Sequence, residues 1–572
     1  MNVKTLLSLC ALTATLAACG GDIELSPSNT TVDNRVITND GTPAADVNPC
    51  AQYGATQGTF SSASGNCSYS SSFVSDTNPL TENLLIPALA NNGIHIFEDS
   101  LWVGNDVDLN AANAGVAVPQ AGQGPKLTIE AGTRIAFAAP DTYLRIARGS
   151  QLIADGTAAA PIILSAIGDL IDGTATPADR GLWGGIQING NGVTNKCTDD
   201  QRAALGSTST PHNCHVTAEG RPSTYGGTNN TESSGTLRYL VIKHAGFEVV
   251  DGDELNGLTL NAVGSGTTIE FVQTYTTLDD GFEMFGGAVN LKNIVAVNAG
   301  DDSIDYSEGY AGNIQFALVV HSAGSNRCIE GDNTGGGRAD NLEPLTKLRI
   351  SNLTCITSNV DEGAGGVLNA PTSKGDSEGP LFREGAYFEL YNSIITSNAD
   401  GMASNECIEV ADSEGPETSD AANNGISTIK STFVACTETI KMSNHANSTA
   451  FADSSALADW VINDMENTDN VALDDTIAGD LPATIIIGLA DSDTAYITAA
   501  AFTNGNSGAI NIPVYDVSTL EDMPADANTT VITVNTPPVE GASGSSSFFE
   551  QVDFIGAVSA DNDWVSGWTV GL

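Results

Sequence analysis

The chain has 572 residues, with 70 Asp and Glu against 21 Lys and Arg, and so carries a formal net charge of −49. This excess argues against a duplex DNA or RNA binder, because affinity for the phosphate backbone depends on Lys and Arg. Hydrophobic residues make up 41% of the chain, which is enough to build a core and argues against disorder throughout. The 60 glycines lack the every-third-residue period of collagen.

Residues 1–18 form a predicted signal peptide. The basic residue Lys4 precedes an apolar run that ends at Ala18, and this run is too short to span a bilayer. It closes with Leu16-Ala17-Ala18-Cys19, which resembles the bacterial lipobox. The resemblance implies that Cys19 is lipidated and becomes the first residue of the mature protein.

Residues 19–46 comprise the predicted acylated Cys19 and a flexible tether, since they are rich in small and polar residues and show no apolar period. Gly20 and Gly21 follow Cys19, in place of the Asp that often marks retention in the inner membrane. The sequence therefore predicts attachment to the outer membrane through a lipid anchor. The protein would face the periplasm or, by preference, the cell surface.

Apart from Cys10 and Cys19, the chain has eight cysteines, and an even number in an exported chain favours disulfides. Of the 105 possible connectivities, we predict that sequence neighbours pair. The predicted pairs are Cys50–Cys67, Cys197–Cys214, Cys328–Cys355 and Cys407–Cys436. Each closed loop would contribute about 3 kcal/mol. A zinc site at His212, Cys214 and His215 is the weaker alternative, because no second Cys-x-x-Cys accompanies it.

The middle of the chain consists of short alternating apolar runs separated by Gly, Asn and Asp, a pattern typical of strands and turns. A run that begins at Ile269 recurs at Leu291, and a third copy begins near Ile314. A period of about 22 residues with two or three strands per copy predicts one coil of a parallel β-helix. Leucine-rich repeats share this period, but their Leu-x-x-Leu-x-Leu pattern is missing.

The predicted fold is all-β, a right-handed parallel β-helix with loop insertions over residues 84–450. Residues 47–83 are expected to form a disulfide-tied N-terminal cap, because an open β-helix end exposes unpaired backbone groups. Residues 451–572 are less regular and are expected to form a C-terminal cap, with Trp564 and Trp568 packing on the last coils. A separate aromatic binding module is the alternative for this segment.

Several segments carry a family resemblance that covers most of residues 90–572. They are Gly181–Ile186, Thr236–Ile242, Asp279–Gly287, Asp553–Ala557 and Asp563–Trp568. Together they resemble a family of secreted bacterial right-handed β-helix lipoproteins with a pectin-lyase-like solenoid. The resemblance implies a cell-surface protein, and it assigns no reaction.

Acidic residues concentrate in two adjacent copies of the repeat. Because side chains one coil apart stack, we expect proximity among Asp279, Asp280, Glu283, Asp301, Asp302 and Asp305, with Glu308 nearby. Such carboxylates repel one another unless a cation or hydrogen bonds compensate. They could bind calcium, which prefers several oxygen ligands, or form a catalytic acid and base pair. Alternatively, each Asp simply shapes a turn by bonding its own backbone.

The catalytic alternative has a partial resemblance to pectin-hydrolysing β-helix glycosidases. Those enzymes carry Asn-Thr-Asp-Gly, Gly-Asp-Asp, Gly-His-Gly and Arg-Ile-Lys on successive coils. The residues that the resemblance would make catalytic are Asp280, Asp301, Asp302, His321 and Arg349. His321 lacks the flanking glycines, and Ser351 stands where those enzymes have Lys.

The sequence favours a non-enzymatic function, the binding of polysaccharide or another extended polymer at the cell surface with bound calcium. A polysaccharide hydrolase or lyase that uses the stacked Asp residues is the first alternative. An accessory lipoprotein of an outer-membrane transporter is the second. The charge of −49 disfavours a strongly anionic polymer unless calcium bridges it.

Overall fold

The computed structural model describes residues 48–572 with gaps. The gaps fall at 199, 202–213, 251–252, 323, 335–338, 359–376, 399–405, 413–414, 437, 444–447, 464–466, 468–470, 473–483, 490–492, 503–509, 517–547 and 560. The segment Pro49–Leu572 forms one compact unit. None of the helices in the described ranges has the length and hydropathy needed to cross a membrane. The predicted signal peptide, Cys19 and the tether lie outside the described residues.

Two large sheets of stacked strands make up the body, and we call them the long sheet and the short sheet. The long-sheet strands are Thr59–Ser61, Asn66–Tyr69, Leu84–Ile86, Ile94–Phe97, Lys126–Ile129, Arg134–Phe137, Gln151–Asp155, Ile162–Ala166, Gly235–Lys243, Thr268–Tyr275, Asn290–Val297, Asn313–Val320, Lys347–Ser358, Tyr387–Tyr391, Ile394–Asn398, Thr428–Lys430, Phe433–Ala435 and Val471–Ala472. The short-sheet strands are Leu101–Val103, Leu144–Ile146, Ile186–Asn189, Leu258–Asn261, Phe282–Phe285, Ile304–Ser307, Glu330–Gly331, Leu381–Phe382, Glu406–Ala411 and Glu438–Ser443.

The remaining elements are short. Small antiparallel sheets contain Gln52–Tyr53 with Thr56–Gln57, Val216–Thr217 with Thr224–Tyr225, Glu248–Val250 with Asp253–Glu254, and Thr484–Leu489, Asp493–Phe502, Ile510–Asp516 and Phe554–Ile555. The α-helices are Leu109–Asn113, Ile167–Leu170, Glu417–Asn423 and Ser454–Asn463, with a 3₁₀ turn at Ala90–Asn92.

Successive coils pair in parallel, and the predicted repeat sets their register. Ile269 lies opposite Leu291, which lies opposite Ile314, and all three side chains are buried in the same core as Phe282 and Ile304 of the short sheet. Each coil therefore buries its apolar face against its neighbours along the axis. The parallel β-helix expected from the sequence is confirmed.

Long-sheet strands bend at a residue with positive φ that recurs in each coil. These residues are Tyr239, Phe271, Asn293, Phe316, Asn352, Asn392 and Ser431. A left-handed conformation costs a non-glycine residue about 1–2 kcal/mol, so neighbouring coils must hold it in place. The rings of Tyr239 and Phe271 stack with their centroids 4.5 Å apart, which shows one such support.

All four predicted disulfides are present, and the proposed connectivity is confirmed: Cys50–Cys67, Cys197–Cys214, Cys328–Cys355 and Cys407–Cys436. The last two pairs are fully buried inside the solenoid. The zinc alternative is wrong for Cys214, since its sulfur is bonded to Cys197.

The two C-terminal tryptophans do not pack on the last coils, which corrects the expectation for them. Trp568 makes edge contacts with Tyr239 and Phe271, and Trp564 contacts Phe271 as well. The reason is an outward-facing apolar patch on the long sheet that the C-terminal tail covers. The patch consists of Val241, Val295, Val297, Leu318, Val320 and Ile356. At the last coils, Trp460 of the helix Ser454–Asn463 packs on Phe388 instead.

Replacing Trp568 by Ala is expected to lower the free energy of unfolding by about 3 kcal/mol, because the indole is 3% exposed and its loss leaves a cavity. The control is Leu85→Ala, where the side chain is 47% exposed and the expected change is within about 0.5 kcal/mol. Urea unfolding measures both. Equal midpoints for Trp568→Ala and the unaltered protein would contradict tail packing.

Candidate functional site

A ladder of carboxylates lies at the corner where each coil leaves the long sheet and enters the short sheet. Asn256 Oδ1 accepts the backbone N–H of Asp280 at 3.1 Å. Asp280 Oδ1 accepts the N–H of Asp302 at 2.8 Å, and Asp302 Oδ1 accepts the N–H of Arg327 at 2.8 Å. Each Asp thus bonds the backbone of the next coil, and not its own backbone as the turn alternative supposed. One oxygen of each carboxylate serves the corner.

A second row of carboxylates runs along the outer face of the short sheet. Glu283 is in register with Asp305, and Asp305 with Glu330. Their neighbours Phe282 and Ile304 point into the core, so the acidic side chains point outward because successive residues of a strand alternate. The register places three carboxylates on top of one another.

The corner and the sheet row meet to form one acidic cluster. Its members are Asp279, Asp280, Glu283, Asp301, Asp302, Asp305 and Glu330. They form three overlapping groups: Asp279 with Asp280 and Asp301, Asp280 with Glu283 and Asp305, and Asp302 with Asp305 and Glu330. Within a group, one carboxylate oxygen from each residue lies within 4.8 Å of the others. Six of the seven members are the residues that the sequence predicted to be close.

Burial and mutual repulsion work against ionisation of the cluster. Burial, followed by repulsion from neighbouring carboxylates, raises the pKa of Asp280, Glu283, Asp302 and Asp305 well above the ordinary range. The same two causes outweigh the attraction of Arg383 and raise the pKa of Glu330 to about 7. The isolated cluster therefore favours protonation or the binding of positive charge.

The basic side chain of Arg383 compensates the Glu330 end of the cluster. Arg383 forms ion pairs with Glu330 at 2.6 Å and with Asp332 at 2.9 Å. Within the described ranges, Asp280, Glu283, Asp302 and Asp305 take part in no ion pair. The buried Oδ1 of Asp305 also has no hydrogen-bond partner there. An uncompensated group of this kind is costly to bury.

The cluster fits a hard divalent cation. All of its ligand atoms are carboxylate oxygens, which suit calcium and magnesium better than zinc with its nitrogen and sulfur ligands. Calcium accepts six to eight oxygens in a flexible geometry. Asp280, Glu283 and Asp305 would hold a cation at the centre of the cluster, since they form the group that overlaps both others.

Residues from an insertion lie over the same face, and the sequence did not point to them. Gln187 Nε2 donates to the backbone carbonyl of Glu219 at 2.8 Å, which holds the insertion against the short sheet. The Glu219 carboxyl has a pKa raised to about 8, by burial and then by repulsion from Asp279 and Asp253. Glu308 lies on the flank, where it accepts a 2.6 Å hydrogen bond from Tyr225 Oη.

His321 is adjacent to the corner but is engaged by two serines. Its Nε2 lies 3.1 Å from Ser303 Oγ and its Nδ1 lies 2.8 Å from Ser377 Oγ. Burial lowers the pKa of His321 to about 3, so the imidazole is neutral near pH 7. Neither ring nitrogen contacts a carboxylate of the acidic cluster in these hydrogen bonds.

Arg349 is not brought to the acidic cluster. It lies in register with Asn313, at the start of the strand Asn313–Val320, whereas His321 follows the end of that strand. Eight residues separate Asn313 from His321, which is roughly 26 Å measured along the bent strand. Arg349 instead donates two hydrogen bonds to Glu389, at 2.7 and 2.9 Å. The geometry therefore corrects the grouping of Arg349 with the acidic residues.

A fourth group of carboxylates, further along the axis, is compensated by basic residues. Glu378, Glu406 and Glu409 lie together, and Arg327 pairs with all three. Lys441 pairs with Glu406 and Glu409. In this fourth group, basic side chains of the same chain offset the charge of the stacked carboxylates.

The stacked parallel strands and the outward acidic row define the class of protein, a parallel β-helix with a candidate divalent-cation site. The model of the pectate-lyase-like β-helix domain matches residues 113–475. This match covers more than half of the chain, and the protein belongs to that family. Searches of curated proteins and of solved structures found no match. The lipoprotein assignment stays a prediction.

The substitution Glu283→Gln is expected to stabilise the metal-free protein at pH 8 by roughly 1–3 kcal/mol, as measured in excess chelator. The reason is that it removes a buried, uncompensated charge. A carboxyl whose pKa is higher in the folded state takes up protons on folding, so the penalty appears as pH rises through its unfolded pKa of about 4.5 and grows up to the folded pKa. The gain from the substitution should therefore vanish near pH 4.

The matched control is Glu409→Gln, which leaves Arg327 and Lys441 with one partner fewer and is expected to destabilise the protein at pH 8. Chemical unfolding in excess chelator at both pH values measures the effect. A loss of stability for Glu283→Gln at pH 8 would show that its charge is already compensated.

Proposed function

We propose that this protein is a calcium-binding, non-enzymatic polysaccharide-binding protein, anchored to the outer membrane through Cys19 and displayed at the cell surface. One observation carries the proposal: in three overlapping carboxylate groups on adjacent coils, Asp280, Glu283, Asp302 and Asp305 take part in no ion pair within the described ranges. Membership of the pectate-lyase-like family supports a polysaccharide as the ligand class.

The partial exposure of the cluster supports a cation site in which one side of the coordination shell faces solvent. Asp280, Glu283 and Asp302 are buried, whereas Asp305 and Glu330 are half-buried. Calcium commonly completes its coordination with water or with ligand oxygens. A cation at this edge would offer its remaining positions to hydroxyl or carboxylate oxygens of a sugar, and its charge would offset the repulsion of an anionic polymer by this acidic protein.

Hydrolysis at the cluster is the less supported alternative. Asp280 and Asp302 each use one oxygen to hold the backbone of the next coil. His321 is held by Ser303 and Ser377, and Arg349 lies elsewhere. A glycosidase needs an acid and a second carboxylate that both reach the scissile bond, and fixed corner residues are poorly suited to that role.

Calcium is expected to bind the chelator-stripped protein and to raise its Tm by about 1 °C for each tenfold increase above the Kd, because it binds only the folded state. Asp305→Asn should weaken calcium binding at least tenfold, since it removes the carboxylate shared by two of the groups. The control is Asp155→Asn, at a side chain 52% exposed. Isothermal titration and a thermal scan measure both. Calcium binding that is unchanged in Asp305→Asn would contradict the site.

The protein is expected to be retained on one or more matrices of a polysaccharide panel in calcium, released by chelator, and to form neither new reducing ends nor unsaturated products. Asp305→Asn should lose retention, and Asp155→Asn should keep it. Product formation would establish an enzyme instead. Retention that survives chelation would show that the acidic cluster is not the binding site.

A further inference from the structure

The outward row of the short sheet continues beyond the acidic cluster and ends at an aromatic and basic pair. Glu283 is in register with Thr259, Thr259 with Gln187, and Gln187 with Arg145. Arg145 is in turn in register with Trp102 on the preceding coil. The same face of one sheet therefore carries uncompensated anions on adjacent coils and, further along the axis, a buried cation.

Arg145 is a buried guanidinium with unused hydrogen-bond donors. Its side chain is 1% exposed, and Nη2 donates to the carbonyl of Gly104 at 2.9 Å. Across the described part of the chain, its Nε and Nη1 have no hydrogen-bond partner. Arg148, three residues further on, uses both of its terminal nitrogens, although its buried Nε also has no hydrogen-bond partner in the described ranges. It donates to the carbonyls of Cys214, Gly226 and Val107.

The indole of Trp102 adds another unused hydrogen-bond donor beside those of Arg145. The Arg145 guanidinium carbon lies 3.8 Å from the centre of the Trp102 ring, and the buried indole Nε1 also has no partner in the described ranges. Tyr143 and Leu255 pack around the indole. The two groups are in contact, and their unused polar atoms are all donors, because neither an indole N–H nor a guanidinium can accept a hydrogen bond.

The neighbouring carboxylates are engaged elsewhere. Asp106 and Asp76 act on Arg145 through their charge, but the described residues provide no ion pair to Arg145. Asp106 Oδ1 accepts the N–H and the hydroxyl of Thr224, and Asp76 pairs with Arg221. Although the chain has 70 acidic residues, none of the carboxylates in the described ranges bonds this buried cation.

We propose that Arg145 and Trp102 form a binding site for a small inorganic anion of the size of chloride. An acceptor-only ligand matches a lining of donors, and its negative charge balances a guanidinium that is otherwise expensive to bury. Water is a poorer match, because its two hydrogens need acceptors and the unused polar atoms around it are donors. With 1% of Arg145 exposed, a polymer cannot reach the site, which leaves a small diffusible ion. This site is separate from the acidic cluster and does not depend on calcium.

Bromide, which replaces chloride and scatters anomalously, tests the proposal in crystals of the full chain soaked in sodium bromide. The expected result is an anomalous peak beside one of the two unused donors of Arg145, Nε or Nη1, which lie on different edges of the guanidinium. Water in that place, with no anomalous signal, would overturn the proposal. This measurement uses the unaltered protein, so it does not depend on whether a variant folds.

A thermal scan provides the second test, in sodium chloride against sodium gluconate at equal ionic strength. The Tm should rise by about 1 °C for each tenfold increase in chloride above the Kd. Arg145→Met should lose this response. Arg238→Met, a control at an arginine on the outer surface that pairs with Glu270, should keep it. An unchanged chloride response in Arg145→Met would overturn the assignment.

Discussion

In the two stacked sheets of this fold, residues in register lie one coil above another, and both the stability and the chemistry of the molecule depend on that stacking. For apolar residues the repetition is favourable, since Phe282 and Ile304 meet within a continuous core. For carboxylates it is unfavourable, because Glu283, Asp305 and Glu330 are forced together by the same backbone register. The hydrogen bonds that keep the strands parallel therefore hold like charges in contact, and something else must compensate them.

The protein meets this constraint differently along its axis. At Glu378, Glu406 and Glu409 it supplies Arg327 and Lys441. In the acidic cluster it supplies Arg383 at the Glu330 end, while Asp280, Glu283, Asp302 and Asp305 have no ion pair within the described residues. The comparison is informative because both groups arise from the same geometry in the same chain. Where basic residues do not balance the carboxylates, we propose that an exogenous cation does so.

The sequence predicted what local repetition controls. The equivalence of Ile269 and Leu291 predicted the coil, and cysteine order predicted the four disulfides, because both depend on neighbouring segments. The proximity of Asp280 to Asp302 followed from the same repeat. Glu330 follows the long-sheet strand Asn313–Val320 as Asp305 follows Asn290–Val297. It was missed because the connection that leads to Glu330 is longer than the one that leads to Asp305.

Contacts between segments that are distant in the chain could not be predicted from the sequence. Glu219 reaches the acidic face through an insertion, and Trp568 covers coils far earlier in the chain. Arg349 resembled a catalytic residue by its order in the chain, yet order does not record which end of a strand a residue occupies. Its partner is Glu389 on the next coil. In a solenoid, position along the strand matters as much as position along the axis.

The most direct test of this account is an anomalous difference map from crystals grown in calcium, recorded at a wavelength where calcium scatters anomalously. We expect a peak bounded by oxygens of Asp280, Glu283 and Asp305. The absence of a peak there, with the carboxyl groups instead hydrogen-bonded to one another as protonated acids, would contradict it.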